Sequence, residues 1–308
     1  MSDRARHFRG RTVVVTGAGR GLGRAYALLL AELGATVVVN DRGTGVGGHG
    51  ADGAPAARVV EAITTAGGSA VADASDVADP DGAAAMIHTA IEVGGRLDAV
   101  INNAGIMRWG GPDKTDPADL DDHVAVHLSG AFNTTRAAWP HFVERGYGRV
   151  VNTASTGMLG LATNLAYAAA KGGVVGLSRS LAVAGRRHGI RVNVLAPAAM
   201  TRMAGPGAAL PNDAATNHPL DPALAAPMAA LLAHEDCPVS GEILVAGGGR
   251  FSRLFFASTP GWLTGGAPPS LDDLLDHWDV ITSEANYTVP ADLGAWSAQF
   301  LDHVEELE

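Results

Sequence analysis

The chain has 308 residues, of which 47% are hydrophobic and 18% charged, with 40 glycines; this is the composition of a compact α/β protein rich in tight turns, and it excludes a disordered chain. A formal net charge of -10 with no run of Lys or Arg argues against nucleic acid and anionic membranes as partners. A single cysteine, Cys237, excludes an internal disulfide, and the absence of a long apolar run or leader-like start predicts a soluble, cytoplasmic protein.

Thr12–Thr16 (TVVVT) reads as a buried strand, GAGRGLG at 17–23 as a turn, and Leu22, Tyr26, Leu29, Leu30 and Leu33 as one face of a helix. Gly34 ends the helix, and residues 35–39 (ATVVV) form a second strand that closes at Asn40 and Asp41. In such a βαβ unit Gly17 permits the tight turn, Gly21 lets backbone amides approach a pyrophosphate and Gly23 lets the helix pack against the strand, with Arg20 and Leu22 between them. The phosphates belong at the helix N-terminus, where free amides and the dipole favour anions. Asp41 is placed to accept hydrogen bonds from an adenosine ribose and to repel a 2′-phosphate, which points to NAD. Arg20 and Arg42 are within reach of a 2′-phosphate and keep NADP open.

Residues 43–55 (GTGVGGHGADGAP) carry six glycines and no apolar periodicity, so they read as a flexible loop at the nucleotide edge of the sheet, able to fold over a cofactor. A helix over 58–66 and a strand over 69–75 lead to Asp76 and Val77, which border the adenine. A helix over 81–93 precedes a strand over 97–101, after which Asn102, Asn103, Ala104 and Gly105 turn at the carboxyl end of the sheet, where ligands bind in open parallel sheets. Helical sequence over 119–144, interrupted by Pro140, carries His127, and residues 149–153 (RVVNT) are the fifth strand.

The stretch 155–171 (STGMLGLATNLAYAAAK) places a hydroxyl, a phenol and an ammonium where they can converge on one oxygen atom. Tyr167 and Lys171 share a helix face at i and i+4. A free tyrosine titrates near ~10, and an adjacent ammonium stabilises the phenolate and lowers that value, which makes the phenol a proton acceptor. The helix continues over 174–186, residues 191–195 (RVNVL) are the sixth strand, and Pro197 and Thr201 open an Ala/Gly/Pro-rich loop reaching to about Pro219, a candidate substrate lid. A helix over 222–234 and a strand over 242–246 complete a Rossmann-type, doubly wound, seven-stranded parallel sheet that occupies residues 1–249 as the dinucleotide-binding catalytic domain. Residues 250–308 hold eight of the 16 aromatic residues. They are expected to form a helical C-terminal extension, packed on the domain or on a neighbouring subunit, with a capped helix start at Ser270. The scattered histidines lack metal-site spacing, so no metal is expected.

With TGAGRGLG at 16–23, NNAG at 102–105, Ser155, Tyr167-x-x-x-Lys171, and Pro197 with Thr201 all in order, the chain resembles the short-chain dehydrogenase/reductase family over about residues 8–249. Within it, GRAYALLLAELGATVVVNDRG, the glycine-rich insertion, VHLSGAFNTTRAAW and HWDVITSEANYTVP are similar to the (3R)-hydroxyacyl-CoA dehydrogenase units of peroxisomal multifunctional β-oxidation enzymes, although the final HVEELE carries no peroxisomal address. The resemblance implies an NAD(P)-dependent oxidoreductase of fatty acid metabolism, working as a homodimer or homotetramer on a small-molecule substrate such as an acyl-CoA thioester. It makes Tyr167 the acid/base, Lys171 the group that lowers its pKa and binds the nicotinamide ribose, Ser155 the donor to the substrate oxygen, and Thr201 the partner of the nicotinamide carboxamide. Two departures stand out. His127 occupies the place where most of the family has an asparagine that ends a proton relay, and it reads either as a variant relay member or as a buried helix histidine. The Ser155 to Tyr167 spacing is one residue shorter than the commoner pattern, so Thr156 competes as the hydroxyl donor. Three functions remain open: an NAD-dependent dehydrogenase of a 3-hydroxyacyl-CoA or similar secondary alcohol, an NADPH-dependent reductase of carrier-bound or steroid-like ketones, and a non-catalytic nucleotide-binding scaffold.

Overall fold

The computed structural model of the chain describes residues 7–204 and 218–305. Contacts divide the chain into two compact units, Met1–Arg253 and Leu254–Glu308. In the first, β1 (Thr12–Thr16), α1 (Gly21–Glu32), β2 (Thr36–Asn40), α2 (Ala54–Thr65), β3 (Ser69–Asp73), α3 (Pro80–Gly94) and β4 (Ala99–Asn102) alternate as the sequence predicts. They are followed by α4 (Pro117–His123), α5 (Gly130–Arg145), β5 (Gly148–Thr153), α6 (Leu165–Gly185), β6 (Ile190–Pro197), α7 (Ala226–Ala233), β7 (Ile243–Gly247) and β8 (Arg250–Leu254). The strand order is β3-β2-β1-β4-β5-β6-β7-β8, with parallel pairing from β3 across to β7. The chain winds outward from β1 in one direction and from β4 in the other, so the crevice for a ligand opens between the carboxyl ends of β1 and β4.

The core explains the continuous apolar runs. Val13 and Val15 of β1 pack with Tyr26 and Leu30 of α1, Ile63 of α2 and Leu232 of α7, while Val14 faces Met86 and Ile87 of α3 and Phe142 of α5. Both sheet faces are covered, so alternate residues of one strand are equally buried and no polar face is needed.

Three local readings are corrected. The sheet does not stop at a seventh strand, because Gly247, Gly248 and Gly249, all at positive φ, turn the chain into β8. A connection this short reaches only an antiparallel neighbour. The exposed RFSRL of β8 lacks the apolar run that marks the other strands, which hid it. Second, α2 starts at Ala54, before the predicted 58, because Pro55 fits the first helical turn. Third, the 119–144 helical segment runs through Pro140 and instead changes winding at Val124–Ser129, a π-helical turn. The candidate lid falls largely on 205–217, outside the described residues.

In the second unit, Ser258 and Thr288 exchange backbone hydrogen bonds of 2.9 and 2.8 Å, and Trp296 Nε1 donates to Ser258 Oγ at 3.1 Å. Short helices α8 (Leu271–Asp276), α9 (Trp278–Ile281), α10 (Leu293–Phe300) and α11 (Asp302–Glu305) surround this bridge. As expected, Ser270 caps α8: its Oγ accepts from Asp273 N at 3.1 Å and its N–H donates to Asp273 Oδ2 at 2.9 Å.

Candidate active site

At the β1/β4 crevice the glycine turn, the ends of β2 and β3 and the NNAG turn line a groove of about 150 Å³. Gly17, Arg20, Gly21, Leu22, Asp41, Asp76, Val77, Asn103, Ala104, Gly105 and Thr201 all face it. Gly21 opens α1 with φ of 53°, and the N-cap Arg20 makes no side-chain cap, so the first amides of the helix remain available to an anion. Gly23 lies behind the groove, where an added Cβ would sit 2.2 Å from Gly17 O; the close packing of helix on turn requires its bare backbone. Pro197 ends β6 and, unlike its neighbour Thr201, is not a wall of the groove. Thr16 Oγ1 accepts from Asn103 N at 2.9 Å and from Ala104 N at 3.0 Å, and Asn103 Nδ2 donates to Thr16 O at 3.0 Å. These bonds tie the NNAG turn to the glycine turn.

Asp41 takes one N–H on each oxygen, from Gly19 and from Gly43, both at 2.7 Å. Each oxygen keeps acceptor capacity for a ribose hydroxyl. Arg42 pairs with Asp76 at 2.5 Å, while Arg20 donates to Thr44 O at 3.3 Å. Thr44, Gly48, Ile106, Val126, Arg202 and Met203 also line the groove and escaped the sequence reading. Arg202 adjoins Thr201 in sequence, and Thr44 and Gly48 belong to the glycine-rich insertion; those were their only signals.

A much smaller cavity, about 10 Å³, shares Val77, Ala104 and Val126 with the groove and is bordered by His127, Thr153 and Lys171. Lys171, buried on α6, donates from Nζ to Thr153 O at 2.5 Å and lies 5.6 Å from the Tyr167 ring centroid. Ser155 Oγ accepts from Gly157 N at 3.0 Å. Thr156 is exposed. The expected lowering of the tyrosine is not what this arrangement gives. Burial pushes the Tyr167 phenol up, with the Ser155 hydroxyl opposing, and burial likewise pushes the Lys171 ammonium down to about 7. In so dry a site desolvation of each group outweighs the attraction of cation for phenolate.

His127 comes from the π-helical turn. Its Nε2 lies 2.9 Å from Ile106 O and 3.2 Å from Ile106 N, whereas its Nδ1 and Thr153 Oγ1, both buried, make no hydrogen bond among the described residues. Burial, then the nearby Lys171 charge, pushes His127 well below the usual imidazole range, so it is neutral at pH 7. Its ring stands edge-on to Tyr167 at 5.2 Å and stacks with His123 at 5.7 Å. His123, fully buried and donating from Nδ1 to Asp119 O at 2.6 Å, had no signal in the sequence that set it apart.

The short chain dehydrogenase family model matches residues 11–206, which span this whole constellation. The chain belongs to the short-chain dehydrogenase family. It is 44% identical to a short-chain type dehydrogenase/reductase of Mycobacterium tuberculosis over 88% of this chain and 94% of that one. Peroxisomal multifunctional enzyme type 2 of Drosophila melanogaster is 39% identical over 100% of the chain, which spans only 51% of that larger protein. The solved structure of the fly enzyme superposes with a TM-score of 0.79 over 98% of this chain and 51% of its own. A hydroxyacyl-CoA dehydrogenase of M. tuberculosis is 38% identical over 78% of both chains. As a short-chain dehydrogenase, the protein is a nucleotide-dependent oxidoreductase. Among the described residues there is no cluster of His, Cys, Asp and Glu fit to hold a metal, and no helix is long and apolar enough to cross a membrane.

Proposed function

We propose that the chain is an NAD-dependent dehydrogenase that interconverts a secondary alcohol and a ketone, with a 3-hydroxyacyl-CoA-like thioester as substrate. The observation that carries this reading is the Tyr167 ring set 5.6 Å from the ammonium of buried Lys171, which itself borders a cavity adjoining the nucleotide groove. The thioester comes from the relatives, one of which is named a hydroxyacyl-CoA dehydrogenase.

The groove fits a dinucleotide: bare glycine backbone at the turn, open amides at α1 and a carboxylate with free acceptor sites at the ribose position. Gly17, Gly21 and Leu22 would hold the pyrophosphate, Asp41 the adenosine ribose, Asp76 and Val77 the adenine, Asn103 to Gly105 the middle of the cofactor, and Thr201 the carboxamide. NAD is favoured because Arg42 is occupied by Asp76 and Asp41 faces the 2′ position. Bound there, the nicotinamide supplies the hydride acceptor or donor for the carbinol carbon.

The residues of this chain move the proton. In oxidation Ser155 holds the substrate oxygen and Tyr167 takes its proton; in reduction the neutral phenol, favoured by burial, returns it. Ser155 rather than exposed Thr156 is the hydroxyl partner. Lys171, with its value near 7, stabilises the phenolate when charged and holds the nicotinamide ribose. His127 Nδ1, Thr153 Oγ1 and Lys171 share one polar cavity, which suits a variant relay of the proton away from Lys171. The test is a steady-state screen of 3-hydroxyacyl-CoA thioesters and simple secondary alcohols with NAD and NADP, on wild type and Tyr167→Phe. Thioester oxidation with NAD that disappears in the variant is expected; turnover unaffected by the variant sinks the mechanism, and preference for simple alcohols sinks the substrate.

A further inference from the structure

The glycine-rich insertion was expected to be a flexible loop, yet it is bonded on itself and to both sides of the groove. Asp52 N donates to Arg42 O at 3.0 Å, Gly45 N to His49 O at 2.8 Å and Gly48 N to Gly45 O at 3.0 Å, so the loop closes where it began. On one side, Thr44 O accepts from Arg20 at 3.3 Å and from Arg202 at 3.4 Å. On the other, Val46 O accepts from Met107 N and Gly47 O from Arg108 Nε, both at 2.9 Å. The loop leaves β2 and reaches the residues that follow β4, two strands away in the order β2-β1-β4. It therefore passes over the carboxyl end of β1, the position at which a doubly wound sheet binds its nucleotide.

Arg108 is the side chain that holds this crossing. Its Nη1 lies between Asp119 at 2.9 Å and Asp122 at 2.7 Å on α4, while its Nε serves Gly47. A planar guanidinium fork makes both sets of bonds at once; an ammonium can keep the ion pairs but has no second, fixed donor for the loop.

We propose that Arg108 is a positioning residue for the nucleotide: it fixes Thr44 to Gly48 as a bar across the groove, and bound cofactor leaves only when the bar lifts. This rests on the dinucleotide reading above. Arg108→Lys keeps the charge beside Asp119 and Asp122 and removes the Nε donor. Gly48→Ala reaches the same seat by another route, since φ is 90° there and a Cβ would lie 3.0 Å from Ile106 Cγ2. The experiment is stopped-flow dissociation and equilibrium binding of NADH and NADPH to the full chain, followed by fluorescence. In both variants the dissociation rate and Kd of the preferred dinucleotide should rise about tenfold, the size of one charge-assisted hydrogen bond, and in Arg108→Lys kcat at saturating cofactor and the melting temperature should be kept. Dissociation unchanged in both variants overturns the proposal. So does a fall in kcat with Kd kept, which would place Arg108 in service of α4 and the histidine pair. Failure of wild type to bind either dinucleotide would instead overturn the reading on which the proposal rests.

Discussion

The two halves of the site are built from opposite materials. The nucleotide groove is mostly backbone: glycines without side chains, open helix amides, and carboxylates that accept from main-chain N–H groups. Beside it stand side chains that titrate, Tyr167, Lys171, His123 and His127, each displaced from its ordinary protonation behaviour by burial. Binding is thus specified by conformation, and chemistry by dehydration. Substitutions should separate the two.

The largest effect is expected from Tyr167→Phe, which removes the proposed proton carrier and leaves the groove untouched: turnover should fall by about a hundredfold to ten-thousandfold with NADH affinity retained. Joint loss of turnover and binding would merge the two halves. Gly23→Val tests the other one. Its side chain collides with Gly17 O, and stability should fall by about 1–3 kcal/mol together with nucleotide affinity, measured by denaturant melts and titration.

A subtler difference lies in pH. Lys171 titrates at about 7 in the folded chain and near ~10.4 in an unfolded one. Between those values the unfolded chain carries the extra proton, so this group makes stability rise with pH from about 7 and contributes no slope below it. Lys171→Met should flatten that rise over roughly pH 7 to 9.5, a window below the tyrosine range. An unaltered profile would mean that the ammonium is not dehydrated. The smallest effect belongs to Asp41→Ala, which should shift the NADP to NAD affinity ratio by about tenfold toward NADP, as a carboxylate on the groove wall is removed. Equal affinities in wild type would remove the basis for preferring NAD.

The same contrast explains what was legible in the sequence. The glycine turn, Asp41 and NNAG could be placed because a backbone requirement restricts residue type at fixed spacing. Tyr167 and Lys171 could be paired because four residues make one helical turn. The direction of their pKa shifts could not, since it depends on how closely the sheet, α4 and the π-helical turn close over them. Gly47 and Arg108 are 61 residues apart, so a loop rich in glycine looked flexible when its anchor lay elsewhere. Likewise, that Thr156 is exposed while Ser155 is partly buried could not be read from the sequence.

The π-helical turn at Val124–Ser129 sets a phase. Ahead of it, α4 presents His123 to the Tyr167 ring; beyond it, α5 presents Asn133 to the Val77 carbonyl at 3.1 Å and Thr134 to Asn102 Oδ1 at 2.5 Å. An α-helix advances about 100° per residue, so the surplus residue of the wider turn is a rotation inserted between two faces that must be read out in different directions. Deleting a single residue there would restore regular winding and misalign one face or the other. The segment has its own reading frame, and the frame is out of step with a uniform helix by design of its length.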